Sequence, residues 1–258
     1  MKTQDTFNMQ QLSFSKIFSV LAMISVMAFP ARAQTAAMQR IGAFEIDVTE
    51  VSVAQFRSFV QATGLKTAAE ISGGNTFEAG WEQRKGWHWQ TPFGQAASSN
   101  EPAVHINYPE AAAYCNWAGK RLPTDAEWGA AAYTERRAQP TDGFITGRTY
   151  RYPTGDSPQG ANCLGDCGNV KTVAHAVTSR GKGHAEVATT KRGVNGLYDM
   201  GGNAWEWVNS GGGSASDKRT RGGSWWYGAS SMLDTHVQAK PAQMSAVYIS
   251  FRCAKDAC

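Results

Sequence analysis

Apolar residues recur at helical spacing in three places, and a capping signature precedes each. Ser52-Val53-Ala54-Gln55 is an S-x-x-Q capping box, with Val53, Phe56 and Val60 on one face behind it. Gly64 is the expected stop, because glycine accepts the left-handed backbone that ends helices. A second helix is expected from Asn107, with Pro109 in its first turn and Glu110 three residues after the cap. Its apolar stripe is Ala111, Tyr114, Cys115 and Ala118, and Gly119 ends it. A third begins at Thr124-Asp125-Ala126-Glu127, another capping box, and turns Trp128 and Ala131 inward.

After Thr134 the helical period vanishes. Gly, Pro, Asn and Asp with short apolar pieces take over, as in 155–168 and 210–216. Short strands are predicted at Phe44–Val48, Ala204–Val208 and Tyr248–Arg252. Residues 65–100 carry Trp81, Trp87 and Trp89 without periodicity and read as a long ordered loop. There is no internal repeat. Gly211-Gly212-Gly213-Ser214 reads as a flexible loop within one domain, because it lies between two aromatic clusters.

Composition supports this picture. The chain of 258 residues is 42% hydrophobic and 18% charged, enough for a substantial core and too apolar for disorder. Nine Trp and 27 Gly suit a loop-rich, aromatic-cored protein better than a helical bundle. A net charge of +4, scattered along the chain, does not suggest a nucleic-acid partner. At the N-terminus, Lys2 and Lys16 precede an apolar run, Ile17 to Phe29, and then Pro30-Ala31-Arg32-Ala33. That is the layout of a signal peptide over 1–33, which leaves a domain over 34–258 and a periplasmic or secreted product. The run is too short to span a bilayer and no later one is longer, so no membrane contact is expected after cleavage. The five cysteines, Cys115, Cys163, Cys167, Cys253 and Cys258, would then meet an oxidising compartment, with one left over.

Several blocks carry a family pattern. They are Phe44 to Ser52 with Ala54-Gln55-Phe56, then Glu101-Pro102-Ala103-Val104-His105-Ile106-Asn107-Tyr108, then Ala112 to Trp128 around Cys115-Asn116-Trp117-Ala118-Gly119-Lys120-Arg121-Leu122-Pro123-Thr124. Asn195-Gly196-Leu197-Tyr198-Asp199-Met200-Gly201-Gly202-Asn203-Ala204-Trp205-Glu206-Trp207-Val208 follows, and Arg221-Gly222-Gly223-Ser224-Trp225 and Phe251-Arg252-Cys253-Ala254 close the series. In this order they resemble the formylglycine-generating enzyme, or sulfatase-modifying factor, family. The usual opening Gly-x-Phe-x-Met-Gly strand is missing.

The resemblance implies a single α+β domain, low in regular structure and related to C-type lectin domains. It implies a structural Ca²⁺ held by Asp199, Gly202, Ala204 and Glu206, mostly through backbone carbonyls. The plainer reading of those residues is a tight turn with Glu206 bonded to backbone N–H groups. A second family calcium site would include Asn162 and the Cys163 carbonyl, though its acidic partners have no clear counterpart. The resemblance pairs Cys115 with Cys253, against the alternative of two inert thiols. Cys163-Leu164-Gly165-Asp166-Cys167 is a C-x₃-C loop expected to close on itself; a zinc site joining it to His175 and His184 matches no established spacing. Cys258 is expected to be a free or intermolecularly paired thiol.

The family's oxidases use two cysteines, five residues apart, to bind Cu(I). Tyr227 and Met232 stand at those positions, so copper is not expected and no residue is assigned a catalytic role. Trp205, Ser224, Trp225, Trp226 and Tyr227 are expected to line a groove, with Trp226 and Tyr227 exposed, for a peptide or small-molecule client. Tyr248 and Ser250 depart from the family's Asn and Gly. The expected function is therefore an exported non-oxidase binding or maturation factor. The alternative is an oxidoreductase acting on a protein or peptide through a different redox centre. Single histidines, His88 and His105 among them, read as structural.

Overall fold

Side-chain caps set where the helices start, and a computed structural model shows each one engaged. It describes Met1, residues 36–211, Ser214 and residues 216–257. The proposed signal peptide and Cys258 lie outside the described residues, apart from Met1. The elements in chain order are β1 (Met38–Ile41), β2 (Phe44–Asp47), α1 (Val53–Thr63), α2 (Ala68–Ser72), β3 (Gly74–Phe77), β4 (Trp81–Arg84), α3 (Tyr108–Trp117) and α4 (Asp125–Tyr133). Then come β5 (Trp205–Gly211), β6 (Asp217–Arg221), β7 (Gln238–Pro241), β8 (Ile249–Ser250) and β9 (Ala254–Asp256).

Ser52, Asn107 and Thr124 each accept from the backbone N–H three residues on, and the Gln or Glu there reaches back, completing reciprocal boxes. Gly64 ends α1 at φ 70°, its N–H donating to the Val60 carbonyl. Phe59, rather than Val60, joins Val53 and Phe56 on the buried face. α3 ends one residue earlier than expected, at a cap on Ala118.

The segment 65–100 is not only loop. Thr67 and Glu70 form a fourth capping box that starts α2, and β3 and β4 make a hairpin. Both elements are too short to show a period. A strand also precedes β2 despite the missing family motif: β1 pairs antiparallel with β2 from Met38↔Asp47 to Ile41↔Phe44. The strand expected over 248–252 is regular only at Ile249–Ser250.

Three sheets result, ordered β1-β2-β9, β3-β4 and β7-β6-β5-β8, with β5 and β8 parallel and the other pairs antiparallel. The main core packs α1 and α3 against β5 and β8 through Phe56, Tyr114, Trp205, Trp207 and Phe251. Phe56 makes edge contacts with Phe59, Trp89 and Phe251 and stacks on Tyr114. The Cys115–Cys253 disulfide, with Cα atoms 5.6 Å apart, ties α3 to the approach to β9. No helix among the described residues is long and apolar enough to cross a membrane.

Candidate functional site

The turn from Asp199 to Glu206 is built on left-handed residues, Asp199 (φ 61°), Gly202 (φ 78°) and Asn203 (φ 54°). A Cβ at Gly202 would lie 2.4 Å from the Asn162 carbonyl oxygen, so glycine is required there by space as well as by backbone angle. Asn203 is the hub. Its Nδ2 donates to Glu50 Oε2 at 2.7 Å, and its Oδ1 accepts from Asn162 Nδ2 at 3.0 Å and from the Ala185 N–H at 2.8 Å.

Glu206 is fully buried and is not bonded to backbone N–H groups. Its Oε1 accepts from Arg252 Nη2 at 2.7 Å, and its Oε2 accepts from Arg252 Nε and Trp128 Nε1, both at 2.7 Å. Asp199 accepts from the Ala188 N–H and the Thr190 hydroxyl. Burial drives the Asp199 and Glu50 carboxyls up, Glu50 well above its usual value, with Asp199 and Glu206 adding like charge to Glu50. Burial alone would lower Arg252; the Glu206 carboxylate outweighs it and raises the guanidinium pKa. Three buried acids thus face one buried cation.

The turn offers hard oxygen donors of the kind Ca²⁺ takes, although both Glu206 oxygens already accept from the Arg252 guanidinium. Among the described residues, the carbonyls of Asp199, Gly202 and Ala204 receive no hydrogen bond from a side chain or a loop N–H. Glu206 Oε1, with one donor, retains a lone pair. The second expected site is different: Lys182 Nζ donates to the Cys163 carbonyl at 2.5 Å, an ammonium at the oxygen a metal would use.

The groove residues are less accessible than expected. Trp205, Ser224 and Trp225 are fully buried, Trp226 is 5% exposed and Tyr227 is half-buried. Residues 173–184 fold back on themselves, the Val173 N–H donating to the His184 carbonyl, and Arg180 lies over the Trp226 ring at 4.3 Å. That cover was not visible in the order of the residues. Trp205 contacts Tyr227 and His236, and Tyr227 and Trp226 contact Tyr248. The aromatic chain reaches solvent at Trp81, 55% exposed, whose ring is 6.2 Å from Tyr248 and 5.5 Å from Phe77.

Tyr227 and Met232 belong to different clusters. Tyr227 packs on the main core, whereas Met232 is buried with Tyr152, Ala161 and the Cys163–Cys167 disulfide. Both disulfides expected from the sequence are present, so the four described cysteines carry no thiol. The zinc reading of the C-x₃-C loop fails as the chain stands, because its sulfurs are joined.

Sequence reasoning weighed His175 and His184 together only with the C-x₃-C loop and missed their partner, Glu101. Glu101, 1% exposed, stands between two imidazoles: its Oε2 is 2.7 Å from His184 Nε2 and 3.2 Å from His175 Nε2. Its Oε1 accepts from the Ser98 N–H at 2.6 Å. Burial would raise the Glu101 pKa, but the hydrogen bond from His184, the imidazole charges and the Ser98 N–H lower it. His184 is lowered, chiefly by burial. The group borders a cavity of about 320 Å³ lined also by Lys171, Val173, Glu186 and Thr189. Residues 101, 175 and 184 share no periodic pattern, so nothing in their spacing pointed to this.

The family model described as sulfatase-modifying factor enzyme 1-like domain matches residues 19–257. The chain belongs to this family. It is 30% identical to the formylglycine-generating enzyme of Streptomyces coelicolor, over 84% of this chain and 80% of that one. It is 28% identical to the inactive C-alpha-formylglycine-generating enzyme 2 of Bos taurus, over 83% of this chain and 77% of that one. Among solved structures it resembles PvdO from Pseudomonas aeruginosa with a TM-score of 0.55 and 20% identity, covering 83% and 80% of the two chains, which shows a shared fold. The chain is similar both to a protein named as a formylglycine-generating enzyme and to one named as inactive, so similarity alone does not decide activity.

Proposed function

We propose that this sulfatase-modifying factor family protein is exported and acts as a binding or maturation factor, without oxidising cysteine to formylglycine. One observation supports the reading: the four described cysteines are consumed in disulfides, and by the family resemblance Tyr227 and Met232 stand where the copper cysteines would be. A phenol and a lone thioether do not replace a pair of soft thiolates for Cu(I). The client is a peptide or small molecule. Its contact face is the accessible end of the aromatic chain, where Trp81, itself against Phe77, and half-buried Tyr227 meet Tyr248, with Arg180 over Trp226. Calcium belongs to the reading as a structural ion held by the carbonyls of Asp199, Gly202 and Ala204 and by Glu206, where it would offset the excess of buried acid.

The test supplies the purified chain with Cu(I), reductant, oxygen and a sulfatase-type cysteine peptide, and follows peptide mass. An unchanged peptide is expected, and conversion to formylglycine overturns the reading. Sequencing the exported product should find Gln34 at its N-terminus. The second reading, an oxidoreductase with another redox centre, is favoured by one feature, the Glu101–His175–His184 group on its cavity.

A further inference from the structure

Glu101 is brought against His175 and His184 from more than 70 residues earlier in the chain, and neither the calcium turn nor the aromatic face uses the three. We propose that these three side chains form a binding site for a first-row divalent metal ion of the Zn²⁺, Co²⁺ or Fe²⁺ type, opening onto the 320 Å³ cavity. The site stands apart from the client reading and holds whether or not a client binds at the aromatic face.

The donor set selects the ion. Two imidazoles and one carboxylate suit borderline transition ions, in contrast to the all-oxygen set of the Asp199–Glu206 turn. Two ligand atoms held at about 2.1 Å by one ion lie roughly 3.0–3.4 Å apart. Glu101 Oε2 already stands 2.7 Å and 3.2 Å from the two Nε2 atoms, so these two edges need to change by only tenths of an ångström. The third edge differs. The two nitrogens flank the carboxylate oxygen, and among the described residues only Cys163, Asp166 and Cys167 bring three donor atoms within 4.8 Å of one another. Those sulfurs are joined. Metal entry at Glu101 therefore requires His175 to turn toward His184.

His175 is the member placed to turn. Its side chain is 19% exposed and lines the cavity, whereas those of Glu101 and His184 are 1% and 0% exposed. The other two are braced: Glu101 by the Ser98 N–H, and His184 by the Phe93 ring at 5.1 Å. His175 Nε2 and His184 Nδ1 are both buried without a hydrogen-bond partner, an unsettled state for a purely structural pair. Three protein ligands beside a cavity also leave coordination positions open, the arrangement of a site that exchanges water or binds a small molecule.

The experiment titrates the metal-stripped full-length mature chain with Co²⁺, read by visible absorption and by equilibrium dialysis with elemental analysis. One equivalent is expected, displaced by Zn²⁺ and not by excess Ca²⁺. His175→Ala and Glu101→Gln should each weaken binding by about tenfold or more. Circular dichroism and the melting temperature check that each variant is folded, and His175→Gln, at the partly exposed position, serves if Glu101→Gln is not. A Cys163→Ser/Cys167→Ser variant should keep its metal. The proposal is overturned by binding weaker than about 1 mM, by binding unchanged in folded His175 variants, or by binding lost only when the two cysteines are replaced.

Discussion

Glu206 and Glu101 are both buried carboxylates, and their surroundings differ in kind. Glu206 faces a guanidinium, receives three 2.7 Å hydrogen bonds from Arg252 and from Trp128 of α4, and sits on β5 between β6 and β8 in one sheet. Arg252 is always charged and makes a two-point fork, so that pair is permanent and orients the turn around it. Glu101 faces two histidines, one of them partly exposed beside a cavity. Imidazoles can change charge, partner and tautomer near neutral pH, so the same carboxylate becomes part of an adjustable group. A buried acid therefore reads as structural or as chemically available from its partner and its access to space, not from burial alone.

The sharpest way to break the first region is to cut the covalent frame beside it. Cys253 adjoins Arg252, and its bridge to Cys115 closes a loop of sequence separation 138. Replacing both cysteines with serine should cost about 5 kcal/mol by loop entropy, against about 2 kcal/mol for the Cys163–Cys167 pair, both read by urea unfolding. Equal losses for the two pairs would contradict this ranking.

Removing the carboxylate itself comes next. Glu206→Gln leaves Arg252 charged and buried without its partner, and should destabilise by about 3–5 kcal/mol. The double variant Glu206→Gln/Arg252→Met should recover much of that loss in the same unfolding measurement. Recovery of nothing would mean that the turn, and not the pair, sets the stability. If calcium binds there, EDTA should lower the melting temperature of the parent, and Ca²⁺ at a hundredfold excess over Kd should return about 2.7 kcal/mol.

A buried cation with no carboxylate extends the comparison. Lys240 is 7% exposed, lies over Trp205 at 4.7 Å and donates to Gln238 Oε1. Burial brings its pKa down to about 8. The unfolded chain then binds more protons than the folded one between pH about 8 and about 10.4, so stability should rise with pH across that window. Below it the full cost of the buried charge is present, and Lys240→Met should be more stable than the parent by about 2–3 kcal/mol at pH 7. Parallel pH profiles for the two proteins would remove the assignment.

Glu101→Gln should have the smallest effect on stability, about 1–2 kcal/mol at pH 7, because an amide can still accept from one imidazole. The folded-state pKa of Glu101 is lowered, so its contribution is present above the usual carboxylate range and is lost as pH falls through the lowered value. Acid unfolding of parent and variant should therefore converge at low pH. Divergence there would mean that the carboxylate is not held ionised by His184 and Ser98.

Much of the fold was legible in short range. The boxes at Ser52, Asn107 and Thr124 placed three helix starts, because a cap is satisfied within four residues and needs no partner elsewhere. The family blocks were likewise legible in the residues themselves, and the family match bears that resemblance out. What was missed was short or long-range. The box at Thr67 heads a helix of five residues, too brief to show a period. β6 and β7 are named by their pairing, not by their composition.

The sequence by itself determined the helix starts and the family, since each depends on local identity. Only the tertiary structure decided that Arg180 lies over Trp226, that Arg252 claims Glu206, and that Glu101 meets His175 and His184. Those outcomes depend on which distant side chains share a low-dielectric interior, where every buried charge must find a partner, and partner choice is settled by packing across the whole chain.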